Sequence, residues 1–162
     1  MAGTTGTAMA DMLAAVLTVS TSRAQADDAS GDALEEACRD AGLDVVRGLV
    51  TDDRESIAAA LRRFCDDEGA RFVFTTGGTG LTIDDVTPEA TRDVLEREVP
   101  GYAEAIRANA LRYTPMGLLT RGVSGTRART LIVNFPGNPK AIGESWPVVE
   151  PTLKHAAETL ER

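Results

Sequence analysis

The sequence predicts an α/β domain with a mainly parallel sheet covered by helices on both faces. Three observations carry that expectation. From residue 13 onward, short apolar runs alternate with amphipathic helical stretches, as in chains built from βαβ units. The length of 162 residues suits one compact domain. Hydrophobic residues at 43% and charged residues at 26% supply apolar surface for a core and exclude disorder as the main state.

Residues 1–12 are expected to form a flexible N-terminal tail, because they are mostly small and polar and lack a period that could bury a face, leaving 13–162 as a single domain. The run 13–20 (LAAVLTVS) suits a buried strand, and 21–30 a loop leaving it. A helix is expected from Ser30 as N-cap, with Leu34, Ala37, Cys38 and Ala41 on its apolar stripe and Gly42 as its stop. The next strand is 43–50, after which Asp53 caps a helix whose stripe is Ile57, Leu61, Phe64 and Cys65, ended near Gly69. Residues 71–76 (RFVFTT) form the third strand, which runs straight into Gly77, Gly78, Thr79 and Gly80. Thr87 as N-cap, with Pro88 and Glu89, starts a helix to about residue 96, and a further helix covers 101–113. Strands are expected at 121–126 and 130–134, giving a sheet of five or six. The segment 141–162 reads as helix, which Pro147 and Pro151 kink or divide.

The formal charge is −8, from 17 basic and 25 acidic residues, so a nucleic acid or an anionic lipid surface is repelled rather than steered inward. An anionic ligand therefore needs a local site built from backbone N–H groups, a few Arg or Lys side chains, or a divalent cation. Cys38 and Cys65 lack CxxC spacing and fall on helix stripes, which makes them buried thiols. Without a basic and apolar leader or an apolar stretch of membrane length, the expected location is the cytoplasm. His155 is assigned no role, since no second His or Cys accompanies it.

In a parallel sheet, ligands bind outside the carboxyl ends of the strands, so the loops there are where chemistry is expected. The strongest candidate is TTGGTG at 75–80, whose adjacent glycines let the backbone turn sharply and offer N–H groups to an anion. It fits neither a P-loop nor a dinucleotide fingerprint. Asp84 and Asp85 follow, and Asp52 and Asp53 follow strand two on the same sheet edge. Two acidic loops can thus converge, a donor set suited to Mg²⁺ shared with substrate phosphates. Asp53 is the better helix cap, which leaves Asp52 freer for the site. The basic side comes from Arg107, Arg112, Arg121, Arg127, Arg129 and Lys140, with Arg121 and Lys140 beside sharp turns.

These segments resemble the molybdopterin adenylyltransferase family, the MogA/MoaB group of molybdenum-cofactor biosynthesis proteins, over residues 16–160. The motifs that carry the resemblance are TTGGTG with DVTPEAT (75–91), PGYAEAIR (100–107), TPMGLLTRGVSG (114–125) and LIVNFPGNPKAI (131–142). The resemblance implies a three-layer sandwich that forms a homotrimer or a higher oligomer. It also implies transfer of AMP from ATP to the terminal phosphate of molybdopterin, with Mg²⁺ and release of pyrophosphate, and delivery of the product to a molybdate-inserting enzyme. The family's functional carboxylates match Asp52 and Asp85, which are also its implied metal ligands. Pterin and nucleotide would lie against Thr76, Gly77, Gly78, Thr79, Gly80, Thr120, Arg121, Pro136, Gly137 and Lys140. Asp84 stands where many relatives carry Arg, exchanging a phosphate partner for a second acid. The alternative, a non-catalytic pterin-binding or carrier protein of the same fold, parts from the enzyme on whether ATP yields pyrophosphate.

Overall fold

The computed structural model describes residues 8–21 and 28–162. Its sheet has six strands, β1 (Leu13–Val19), β2 (Asp44–Val50), β3 (Phe72–Thr76), β4 (Arg97–Glu98), β5 (Ser124–Arg127) and β6 (Thr130–Phe135), in the order β2-β1-β3-β6-β5-β4. The first four of that order are mutually parallel, while β5 runs antiparallel to β6 and β4 antiparallel to β5. Among the described residues, six α-helices cover the sheet: α1 (Ala29–Asp40), α2 (Arg54–Arg62), α3 (Thr87–Val94), α4 (Gly101–Ala110), α5 (Pro139–Val149) and α6 (Leu153–Leu160).

Strand alternation divides the core in two. Ala14, Val16, Phe72, Phe74, Leu131, Val133 and Phe135 point to one face, where they meet Leu34 and Cys38 of α1, Ile106 of α4, Ile142 and Val149 of α5, and Leu153 of α6. Ala15, Leu17, Val73 and Ile132 point to the other, against Ile57 and Leu61 of α2, Phe64 beyond it, and Ala90 and Val94 of α3. The expected three-layer α/β sandwich is therefore the observed architecture.

Several boundaries differ from the expectation. Of the expected tail, residues 1–7 lie outside the described residues. Residues 9–11 form a 3₁₀ turn, Met9 packs against the core and Met12 is buried in it, so the order begins before residue 13. The expected loop 21–30 is described only at its two ends. Asp28, not Ser30, caps α1, accepting from the Gly31 N–H at 3.0 Å. Val86 is the N-cap of α3 and Thr87 its first residue, since the Thr87 hydroxyl donates instead to Gly77 O. The stretch 121–123 precedes β5 without joining the ladder, and the edge strand β4 has no counterpart among the expected strands. α2 continues into a π-helical turn, Arg63–Asp67, before Gly69 takes φ +64° and ends it. Helix α4 stops at Ala110, and α5 and α6 are divided at Glu150–Thr152, where Pro151 sits; Pro147 lies inside α5. Both thiols are buried, and burial pushes Cys38 up to about 12 and Cys65 up to about 11. Among the described residues, no helix is long and apolar enough to cross a membrane.

Candidate functional site

Because β1, β2, β3 and β6 are parallel, their carboxyl ends form one rim, and the loops after β2, β3 and β6 leave from it. The loop after β3 is the most constrained. Gly77 and Gly78 adopt φ +94° and +72°, backbone that L side chains rarely adopt. A Cβ at Gly77 would lie 2.3 Å from the Val19 carbonyl oxygen, and one at Gly78 would lie 2.3 Å from Thr87 Oγ1. The loop after β6 packs on the same glycines, since a Cβ at Gly137 would approach Gly77 Cα to 3.1 Å. Thr76 donates to Pro136 O at 2.8 Å, so its buried hydroxyl ties these two loops together. In the loop that leads to α5, Asn138 caps the helix by accepting from Lys140 N at 2.8 Å; Lys140 itself is exposed.

The two acidic loops lie within electrostatic reach of each other. Burial raises the Asp52 carboxyl above the ordinary carboxylate value, and the charges of Asp84 and Asp85 raise it further. Asp52 Oδ2 is buried and has no hydrogen-bond partner. Asp53, by contrast, caps α2 through Ser56 N at 2.8 Å and Ser56 Oγ at 2.6 Å, which lower its carboxyl. Asp53 is thus the helix cap, as expected, and Asp52 takes no part in capping. Asp85 Oδ2 accepts from Thr82 N at 3.0 Å and Thr82 Oγ1 at 2.9 Å, which fixes its carboxylate beside Gly80. Among the described residues, no group of three or more His, Cys, Asp or Glu is arranged to hold a metal ion unaided.

Arg121, expected beside a sharp turn as a phosphate partner, is held by three anchors. Its Nε donates to Gly80 O at 2.7 Å and Nη2 to Asp85 O at 2.7 Å, while Nη1 reaches both Glu89 oxygens at 2.8 and 3.1 Å. Its own N–H donates to Thr79 O at 2.8 Å. This guanidinium clamps the glycine loop and the Asp85 turn to α3, with Glu89 as counter-charge. Thr120 Oγ1 adds a long contact of 3.5 Å to Thr79 Oγ1.

Beneath the loop lies a polar network that the sequence alone does not assemble. Buried Asn134, near the end of β6, accepts from Val123 N at 3.0 Å and donates to Thr75 Oγ1 at 2.9 Å and Thr91 Oγ1 at 3.1 Å. It joins β3, β6 and α3 under the rim. The signal available was Asn134 itself, a polar residue inside the apolar run LIVNF, which a buried strand accepts only with partners. Glu89 gave no comparable signal, because its partner lies 32 residues away.

A family model described as "Probable molybdopterin binding domain" matches residues 15–155. The molybdopterin adenylyltransferase of Helicobacter pylori strain J99 is 36% identical over 137 residues, 83% of this chain and 78% of that protein. Molybdenum cofactor biosynthesis protein B of Escherichia coli K12 is 37% identical over 144 residues, 86% of this chain and 84% of that protein. The crystal structure of the molybdopterin biosynthesis enzyme MoaB from Thermus thermophilus superposes with a TM-score of 0.85 at 44% identity, covering 92% of this chain and 96% of the other.

Proposed function

Since the chain belongs to the molybdopterin-binding domain family, we propose that it adenylylates molybdopterin, taking AMP from ATP onto the pterin's terminal phosphate. The observation that carries this reading is the rim itself: it bears a glycine loop whose positive-φ backbone no larger residue adopts easily, and a buried, unpaired Asp52 oxygen within the field of a second acidic turn. An oxygen of the pterin phosphate forms a bond to the α-phosphorus of ATP. The bond from that phosphorus to the bridging oxygen breaks, and pyrophosphate leaves with the electron pair. The attacking oxygen is already anionic, so no enzyme base and no covalent intermediate are needed. Catalysis then consists of holding two phosphate groups in line and balancing their charge.

Mg²⁺ fits the rim. An orphaned buried carboxylate oxygen inside a negative field is what a hard cation relieves, and Mg²⁺ commonly takes one or two protein carboxylates and completes its shell with phosphates and water. Asp52 and Asp85 would hold it, and when bound it would neutralise the phosphate charge that otherwise repels the nucleophile. The glycine-loop N–H groups would hold substrate phosphate or the pterin end, with Lys140 as a mobile countercharge at the neighbouring loop. Arg121 acts through the loop it clamps.

The test is incubation of the protein with molybdopterin, ATP and Mg²⁺. One pyrophosphate released per adenylylated pterin is the expected result. Tight pterin binding with no pyrophosphate would leave only the carrier reading. We also propose a homotrimer. Leu111, Tyr113, Met116, Leu118 and Leu119 are all exposed in the segment between α4 and β5, an apolar run that a second copy would cover.

A further inference from the structure

Beside the rim, between α3, α4 and the start of β5, lies a hollow of about 410 Å³ whose walls carry Arg92, Arg107 and Arg121. We propose that this hollow binds the diphosphate end of a nucleoside triphosphate, the part that leaves as pyrophosphate. The inference rests on the adenylyl-transfer reading and assigns one of its two substrates a place.

Charge is the first argument. In a chain of net charge −8, three guanidinium groups line one cavity with a single carboxylate, Glu98, whose contact with Arg92 is long at 3.7 Å. Arg121 already has Glu89 as counter-charge and Arg92 has Glu98 at long range, so the excess comes from Arg107. Arg107 donates to Gly122 O at 2.7 Å, which fixes its guanidinium at the wall, and among the described residues no carboxylate pairs with it. A fixed, uncompensated guanidinium in a concave site is suited to a phosphate oxygen, because its planar donors match that geometry and charge-assisted bonds are strong.

Position is the second argument. Val123 N bonds Asn134 Oδ1, and Ser124 pairs with Val133, so the hollow opens at the carboxyl end of β6, on the rim already described. Arg121 is the wall between the two regions. One side of its guanidinium holds the Asp85 carbonyl, and the residue also lines the hollow. A nucleotide whose α-phosphate sits by the acidic loops could therefore place its β- and γ-phosphates one side chain away. The rim would then have an acidic end for the metal and a basic end for the leaving group, and charge moving from the α-phosphorus to pyrophosphate would move toward arginine.

The pterin's own phosphate shares this chemistry, so the test separates the two. Isothermal titration of wild type, Arg92→Gln and Arg107→Gln would use inorganic pyrophosphate, ATP, AMP and molybdopterin in turn. The expected result is a loss of about tenfold or more in pyrophosphate and ATP affinity for Arg107→Gln, with AMP and molybdopterin changed less than about twofold. Arg107→Lys should recover part of the loss, which separates charge at the wall from the bond to Gly122. Arg92 is exposed on its helix, so Arg92→Gln tests the same charge without risk to the fold. Unchanged ATP and pyrophosphate affinity in both Gln variants overturns the proposal, as does a loss confined to molybdopterin. If wild type releases pyrophosphate while either result holds, only the hollow is wrong. If wild type releases none, the adenylyl-transfer reading fails and takes the hollow with it.

Discussion

Asp52 is costly to the fold in the ionised state. Its carboxyl is raised above the ordinary value of 3.8, first by burial and then by Asp84 and Asp85, so the folded chain binds this proton more tightly than the unfolded chain. Where the folded form carries more protons, stability falls as pH rises, so the loss sets in above 3.8 and is complete once pH has passed the raised folded value. Asp52→Asn should therefore raise the melting temperature, with a gain that grows above about pH 4 and levels off once pH has passed the raised folded value. Paired thermal melts across that range check this, and a gain that shrinks toward neutrality contradicts it. The sequence could show that Asp52 follows a strand and that Asp53 caps the helix. It could not show the orphaned oxygen, which depends on burial in the folded chain. The packing of Arg121 was hidden at the same point. Its basic character was legible, but its three anchors, Gly80, Asp85 and Glu89, come from another part of the chain.

The elements that bury most were the most legible. β1, β3 and β6 are fully or nearly fully buried, so each reads as a continuous apolar run ending in a turn signal, and those ends position the site. β4 is two exposed residues, Arg97 and Glu98, with no pattern to read; it exists because β5 offers it an edge. The cap of α1 was missed because Asp28, like Ser30, is a good cap. Arg47 of β2, which pairs with Asp28, is an independent reason for the earlier start. Packing at β3 sets a further expectation. Phe74 is fully buried, its ring 5.8 Å from Phe72 in a stacked pair and edge-on to Phe135 and Trp146 at 5.6 and 5.5 Å. Phe74→Ala should cost about 3–5 kcal/mol in urea unfolding. A loss under about 1 kcal/mol would mean that the helical layer recloses over the strand.

At the scale of the molecule, one sheet edge gathers the chemistry. The four parallel strands deliver Asp52, the glycine loop and the Pro136–Gly137 turn to it, while the mixed edge, β5 and β4, brings in Arg121 and the basic hollow. The first group could be anticipated from parallel strands alone; the second required the antiparallel turn-back, which the sequence left open. The exposed apolar segment 111–119 belongs to this scale too. Sedimentation velocity should give a trimer, and a monomer at micromolar concentration would contradict that assignment. The central claim is that the two acidic turns act on the same phosphates. It is tested most directly by single-turnover pyrophosphate release from Asp85→Ala, with Asp85→Asn beside it to keep an acceptor for Thr82. A drop of about a hundredfold or more in both, with melting behaviour near wild type, is the expected result; wild-type release from the folded Asp85→Ala protein would contradict it.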